Sequence, residues 1–196
     1  MRQFKLLWAA VGASVLLGAL VTSASAGRIS ISSQRFRAGW SALNYSGGFG
    51  TIECEVSVEG SFHSRSITKT AGSLVGYITT ATVNRCARGG ATVLRETLPW
   101  HVQYESFSGT LPNITSINTR AIGISFMIRE PTFGVTCLAR TSATNPATGA
   151  FNLSAGVVTL VGAGGTFPCG SFSGSYSGNS SSVGTPEGTR ITVTLI

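Results

Sequence analysis

Apolar side chains recur at every second position through most of this chain after residue 26, and that period predicts strands rather than helices. From Arg35 to Ala42, one face carries Phe36, Ala38, Trp40 and Ala42, and the other Arg35, Arg37, Gly39 and Ser41. From Thr51 to Glu59, Ile52, Cys54, Val56 and Val58 alternate with Thr51, Glu53, Glu55, Ser57 and Glu59. The turn-forming stretch Asn44–Gly50 lies between them, so the two runs predict a β-hairpin. A simple register sets Trp40 opposite Cys54 and Arg35 opposite Glu59, which matches polarity at every pair. Arginine and glutamate rows then share the wet face, and the three glutamates read as a solvated strand surface rather than a catalytic cluster.

The same pattern continues downstream. Leu74–Val83 and Ala91–Leu98 are strand candidates, and Pro99 opens a strand in which Trp100, Val102 and Tyr104 alternate with His101, Gln103 and Glu105. Residues 109–113 form a turn pattern. Ile122, Ile124, Phe126 and Ile128 make the apolar row of one long strand that Pro131 ends, with Phe133, Val135 and Cys137 in the next. Residues 145–149 read as a loop, Val157–Val161 as a short buried strand, and residues 179–188 as a surface loop. In Gly170–Ser177, four serines hold one parity while Gly170, Phe172, Gly174 and Tyr176 hold the other, which predicts a strand with glycine bends. Ile191, Val193 and Leu195 make a final strand. No convincing helix follows residue 26, and eight to eleven short strands indicate an all-β fold, a sandwich or barrel of mostly antiparallel strands.

Residues 1–26 break this pattern. Arg2 and Lys5 precede an apolar run from Leu6 to Val21, and Ala24-Ser25-Ala26 is the small-x-small pattern of a signal-peptidase site. The stretch is short for a bilayer span, so a cleaved signal peptide is expected, with residues 27–196 as a single secreted β-domain and no membrane span after cleavage. Export, secreted or periplasmic, licenses disulfides. The four cysteines are Cys54, Cys86, Cys137 and Cys169, and the two intervals Cys54–Cys86 and Cys137–Cys169 are equal, which favours those pairings.

Charge narrows the function classes. The chain carries 14 Lys and Arg against 7 acidic residues, every one of them Glu, for a net +7 that falls to +5 without Arg2 and Lys5. The arginines are scattered singly, so no specific nucleic-acid binding is expected, only solubility and a weak attraction to anionic surfaces. Without Asp, calcium loops and a Ser-His-Asp triad fall away. No cysteine pair has zinc-site spacing, and no metal or cofactor is expected.

The densest functional-looking chemistry lies in Leu98–Glu105. Trp100, His101, Tyr104 and Glu105, with His63 from Ser61-Phe62-His63-Ser64, form a candidate surface site. A His–Glu pair on one strand face is the minimum for general-base chemistry, and two His with a Glu for zinc. No Gly-x-Ser-x-Gly elbow marks a nucleophile. The stretches Gly60-Ser61-Phe62-His63-Ser64, Gly72-Ser73-Leu74-Val75-Gly76-Tyr77, Leu98-Pro99-Trp100-His101 and Gly109-Thr110-Leu111-Pro112 resemble a family of secreted bacterial β-proteins of no assigned function. The resemblance spans residues 35–140 and implies no activity, site or partner. A non-catalytic binding or structural role is the leading expectation. An eight-stranded outer-membrane barrel and a hydrolase using His101 or His63 are the alternatives.

Overall fold

The computed structural model describes residues 28–110, 113–154, 157–169 and 172–195. The expected signal peptide lies outside the described residues. β1 (Arg28–Ile31) opens the described chain, followed by the long hairpin β2 (Arg35–Gly47) and β3 (Gly50–Phe62). Next come β4 (Ser66–Thr68), β5 (Leu74–Ala87) and β6 (Gly90–Val93), and a 3₁₀ turn at Arg95–Thr97 leads into β7 (Trp100–Thr110). Then follow β8 (Asn113–Ile122), β9 (Ser125–Glu130), β10 (Val135–Arg140), β11 (Ala147–Ser154) and β12 (Val157–Cys169). The chain ends with β13 (Phe172–Gly178), β14 (Ser182–Gly184) and β15 (Val193–Leu195).

Eight of these strands close a barrel. In chain order β2, β3, β5, β7, β8, β11, β12 and β13 each pair antiparallel with the next, and β13 returns to pair with β2. The fold is therefore a barrel and not a sandwich. The remaining strands form two small antiparallel sheets, β15-β1-β4 and β10-β9-β6. Their apolar residues reach into the core of the barrel from its two ends: Ile29, Ile31 and Ile67 from the first, Phe126 and Ile128 from the second.

The β2–β3 hairpin is longer and differently registered than its pattern predicts. Strand pairing runs through Tyr45 and Gly47, leaving only Gly48 and Phe49 as the turn. Trp40 faces Val56 and Arg37 faces Glu59, two residues from the simple register. A slip of two keeps every side chain on its own face, so polarity alone cannot detect it. A bulge between Trp40 and Leu43 then shifts the parity. Ala42, expected inward, is exposed, while Leu43 and Tyr45 point into the core. The outward row is ionic as expected: Arg37–Glu59 at 3.7 Å, Arg85–Glu55 at 3.8 Å and Arg35–Glu187 at 3.0 Å. Exposed pairs like these contribute about 0–1 kcal/mol each.

Other departures have local causes. The long strand expected across residues 122–128 breaks at Gly123, whose φ of +91° turns the chain out of the barrel and into β9. The strand expected over Ala91–Leu98 ends at Val93, and the chain tightens into the 3₁₀ turn. The stretch 145–149, rich in turn formers, becomes β11 from Ala147 onward because β8 and β12 pair with it on both sides. Within 179–188, β14 lies along β2 at Arg37–Gly39.

The glycine–serine strand is resolved as β13. Its serines Ser173, Ser175 and Ser177 are exposed, and Gly174 and Tyr176 are buried. A Cβ on Gly174 would overlap the ring of Phe167, its neighbour across β12. The same arrangement recurs where Tyr176 covers Gly165 and Phe36 covers Gly60. Each inward glycine leaves the space an aromatic ring on the next strand fills.

The disulfides are Cys54–Cys86 and Cys137–Cys169, the pairing the equal intervals favour. Cys54 and Cys86 are direct partners on β3 and β5. Cys137 on β10 is bonded to the last residue of β12, which fastens the β10-β9-β6 sheet to the barrel. Each bridge closes a loop of about 33 residues, worth roughly 3–4 kcal/mol by chain entropy.

Two predictions follow from this arrangement. Replacing Cys137 and Cys169 by Ser should lower stability by about 3 kcal/mol. Hydrogen exchange should rise first in β9 and β10; a uniform rise across the barrel strands would show that the bridge is no local fastening. Gly174→Val should cost about 1–3 kcal/mol by overpacking against Phe167, measured by urea unfolding. Ser175→Val, one position away on the wet face, should cost less than about 0.5 kcal/mol.

Candidate functional site

The five side chains of the sequence-predicted site do not share one surface. Trp100 and Tyr104 lie on the interior of β7, with 1% and 3% of their surface exposed. The Trp100 indole nitrogen donates to Thr97 Oγ1 at 2.8 Å, and Thr97 in turn donates to the Leu94 carbonyl at 2.7 Å. His101 is exposed on the outside, its ring edge-on to Tyr77 at 5.2 Å. A bulge between Tyr104 and Ser106 leaves Glu105 unpaired and exposed. It borders an open polar depression with Asn44, Asn118 and Asn179. His63 is exposed just beyond β3, its backbone N–H donating to the Val75 carbonyl at 2.8 Å. Ser61, Tyr77 and His101 are in register across β3, β5 and β7. His63 is therefore two strand spacings, about 10 Å, from His101, and two residues further along. Among the described residues no three His, Cys, Asp or Glu side chains converge as a metal site would require.

The barrel interior holds a different arrangement. It holds a cavity of about 160 Å³. Ala38, Trp40 and Leu43 of β2, Val56 and Val58 of β3, Ile78 of β5 and Val102 of β7 line it, together with Thr119 and Ala121 of β8, Phe151 of β11 and Tyr176 of β13. Ile29, Ile31, Ile67, Ile191 and Val193 bound it at one end, Ile124 and Phe126 at the other. Thr119, a polar wall residue, is satisfied: its hydroxyl donates to the Gly149 carbonyl at 3.2 Å.

Among the described residues, three buried donors in this interior have no hydrogen-bond partner: Trp40 Nε1, Tyr45 Oη and Tyr176 Oη. A fourth unpartnered atom, Ser66 Oγ, belongs to the end sheet. Trp40 and Tyr176 are on the cavity wall. Tyr45 stands beside Tyr176, its direct partner across the β2–β13 seam, with ring centroids 6.2 Å apart. The rings continue a chain of aromatic contacts, Trp100–Phe126 at 5.5 Å, Phe126–Tyr45 at 5.6 Å and Tyr176–Phe167 at 6.4 Å. Burial, and secondarily the Tyr176 phenol, holds the Tyr45 hydroxyl well above the ordinary tyrosine range; burial does the same for Tyr176. Both phenols therefore stay protonated and available as donors at any physiological pH.

Sequence pattern placed Trp40 and Tyr176 on an apolar face but gave no sign that their polar tips lack partners. Tyr45 was hidden in the predicted turn. The one available signal was the company of glycines, which make room for rings rather than fill the barrel.

The raised phenols fix a pH dependence. An unfolded tyrosine ionises near pH 10, whereas Tyr45 and Tyr176 in the folded barrel do not. Their contribution is fully present below about pH 10 and is lost as pH rises above it, because only the unfolded chain releases those protons. Spectrophotometric titration should show Tyr45 and Tyr176 ionising only together with unfolding. Smooth ionisation of all 4 tyrosines in a still-folded protein would contradict the burial.

The chain matches no family model, and no curated protein or solved structure is significantly similar to it, so its role rests on the chemistry of its own residues.

Proposed function

We propose that this chain is a non-catalytic binding protein of the space outside the cytoplasm, and that its barrel takes up one small, largely apolar molecule bearing a hydrogen-bond acceptor. The observation that carries the reading is the apolar cavity inside the eight-stranded barrel, with the unpartnered donors Trp40 Nε1, Tyr45 Oη and Tyr176 Oη buried in the wall around it. Buried polar groups are nearly always hydrogen-bonded, and each one left unsatisfied costs about 1–3 kcal/mol. A ligand carbonyl, ether or hydroxyl oxygen, met by a small turn of the Trp40 or Tyr176 side chain toward the cavity, would remove that cost, and the apolar wall supplies the rest. Eight-stranded barrels are the size that holds one small ligand.

The volume sets the ligand class. A dry cavity of about 150 Å³ accommodates benzene. The ligand is thus on the order of one ring with a short polar substituent, roughly six to ten non-hydrogen atoms. Ligands this small reach affinities on the order of micromolar.

Surface polarity supports this reading over a lipid-embedded barrel. A membrane barrel turns an apolar band outward and a polar face inward. Here Arg35, Arg37, Glu53, Glu55 and Glu59 line the outside of β2 and β3 while the inside is apolar, the reverse sense. Among the described residues no helix is long and apolar enough to cross a membrane. The hydrolase reading loses its geometry because His101 and His63 sit on the outside, away from the cavity. The two disulfides fit an oxidising compartment, and export by residues 1–26 belongs to the proposal. N-terminal sequencing of the protein from an exporting cell should begin at Gly27.

Acetophenone and its hydrocarbon counterpart ethylbenzene test the site directly, by quenching of tryptophan fluorescence and by thermal shift. Acetophenone should bind more tightly by about five- to tenfold, the worth of one hydrogen bond. Trp40→Phe and Tyr176→Phe should narrow that preference. Tyr176→Phe should also leave the empty protein as stable or about 1 kcal/mol more stable, because it removes an unsatisfied hydroxyl. Absence of binding by either compound, or a preference untouched by both substitutions, would overturn the reading.

A further inference from the structure

The large apolar side chains that stand exposed among the described residues, Met127, Phe133 and Leu138, all belong to the β9–β10 hairpin. Phe133 is at its tip, with 70% of its surface exposed. Met127 and Leu138 are direct partners across the two strands, with Thr92 of β6 in the same row. Arg129 lies between that row and the tip, opposite Thr136, and Arg140 lies on the far side of Leu138. The outward face of the hairpin thus alternates apolar and cationic positions, while Phe126, Ile128, Cys137 and Ala139 fill its inner face.

The hairpin's one negative charge, on Glu130, is buried and off its outward face. Glu130 is the one acidic residue between Glu105 and Glu187. Its carboxylate is folded under the turn, where it accepts from the backbone N–H of Thr132 at 3.0 Å and of Phe133 at 2.7 Å. Those bonds hold it below the ordinary carboxylate range and fix the turn that presents Phe133. Arg88 adds a further cation at the β5–β6 turn, where the adjacent Gly89 packs on the Arg129 backbone.

We propose that the outward face of β9–β10 is a docking surface for an anionic lipid leaflet. Phe133, Met127 and Leu138 enter the interfacial region, and Arg129 and Arg140 meet the headgroup charge. A second copy of this chain is a poor occupant, because a two-fold interface here brings the arginines of both copies together. An acidic protein is also a poorer fit: the apolar tip projects outward, and neither the barrel cavity nor the polar depression is lined by Met127, Phe133 or Leu138. A lipid surface accepts a projecting apolar tip without a matching groove. The proposal is independent of what occupies the barrel, since the two involve opposite faces of β9.

Sedimentation of the purified protein with vesicles tests it. Vesicles of equal parts phosphatidylcholine and phosphatidylglycerol should retain the protein at low ionic strength and release it as salt rises. Phosphatidylcholine vesicles should not. Arg129→Gln should weaken retention by about fivefold. Phe133→Ser and Leu138→Ser should weaken it as well, with near-ultraviolet circular dichroism unchanged because both side chains are exposed. No retention by the anionic vesicles, equal retention by neutral ones, or retention indifferent to all three substitutions overturns the proposal. So does a concentration-dependent dimer that Phe133→Ser dissolves, which assigns the face to a second copy. Capture by immobilised poly-glutamate without vesicle binding overturns it in favour of an acidic protein.

Discussion

The antiparallel contact between β13 and β2 is short, three residue pairs centred on Tyr176 and Tyr45, yet everything else in the molecule depends on it. It joins the last long strand to the first and so removes the free edges of the main sheet. Because β13 ends at Gly178, β14 takes over along β2 at Gly39, and Val183 continues the inner wall there. Closure also imposes crowding. Strands that curve into a small barrel bring opposing side chains into one interior, and β12 and β13 meet that limit with glycine. Tyr176 can lie over Gly165, and Phe167 over Gly174, only because no Cβ stands there. The seam is thus held by the same rings whose hydroxyls are left without partners.

The two small sheets turn this open-ended tube into a closed core. One joins the terminal strands β1 and β15 to an excursion, β4, between β3 and β5; the other is built wholly from excursions, β6 between β5 and β7 and β9–β10 between β8 and β11. The β9–β10 hairpin is held mainly by its own pairing and by β6, and meets the barrel wall at β12 over a smaller contact. The bond from Cys137 to Cys169 answers this directly by tying β10 to the barrel wall. The bond from Cys54 to Cys86 secures β5 near the point where it departs toward β6. The equal spacing of the two pairs therefore has different structural meanings: one bridge joins neighbours within the barrel, the other joins barrel to end sheet.

What the sequence could reveal was whatever depends on period two. The wet row of Arg37, Glu55 and Glu59, the inward row of Ile52, Val56 and Val58, and the β13 strand hidden in serine and glycine all follow from alternation. Barrel closure does not, because sandwich and barrel strands alternate alike and the β13–β2 contact spans most of the chain. Register was out by two residues at Trp40 because a slip of two leaves faces unchanged. Ala42 was misplaced by a bulge, which reverses parity without any single residue announcing it, and Tyr45 by turn chemistry that strand pairing overrides. Gly123, between Ile122 and Ile124 of the predicted row, gave no sign of a break, yet its left-handed backbone turns the chain outward. The candidate site failed as a unit for the simplest geometric reason: Trp100 and Tyr104 alternate with His101, so they lie on the opposite side of the sheet.

The interior donors carry the functional argument because an alternative economy was open to the fold. Trp100 shows it. It is more deeply buried than Trp40, yet its N–H reaches Thr97, a hydroxyl supplied by the 3₁₀ turn. Thr119, also inside, finds the Gly149 carbonyl. The barrel therefore satisfies its polar atoms where a partner is within reach. Phenylalanine in place of Tyr45 or Tyr176 would keep the ring contacts with Phe126 and Phe167 and discard the unsatisfied hydroxyls. Packing alone gives no reason to keep a hydroxyl at either position; the proposed acceptor would give one at Tyr176, which borders the cavity. In the proposed binding role, the same atoms that make the empty barrel less stable than it could be are those that would give it selectivity. A wall of hydrocarbon separates ligands only by size and shape, whereas a buried donor discriminates against any ligand that leaves it unpaired.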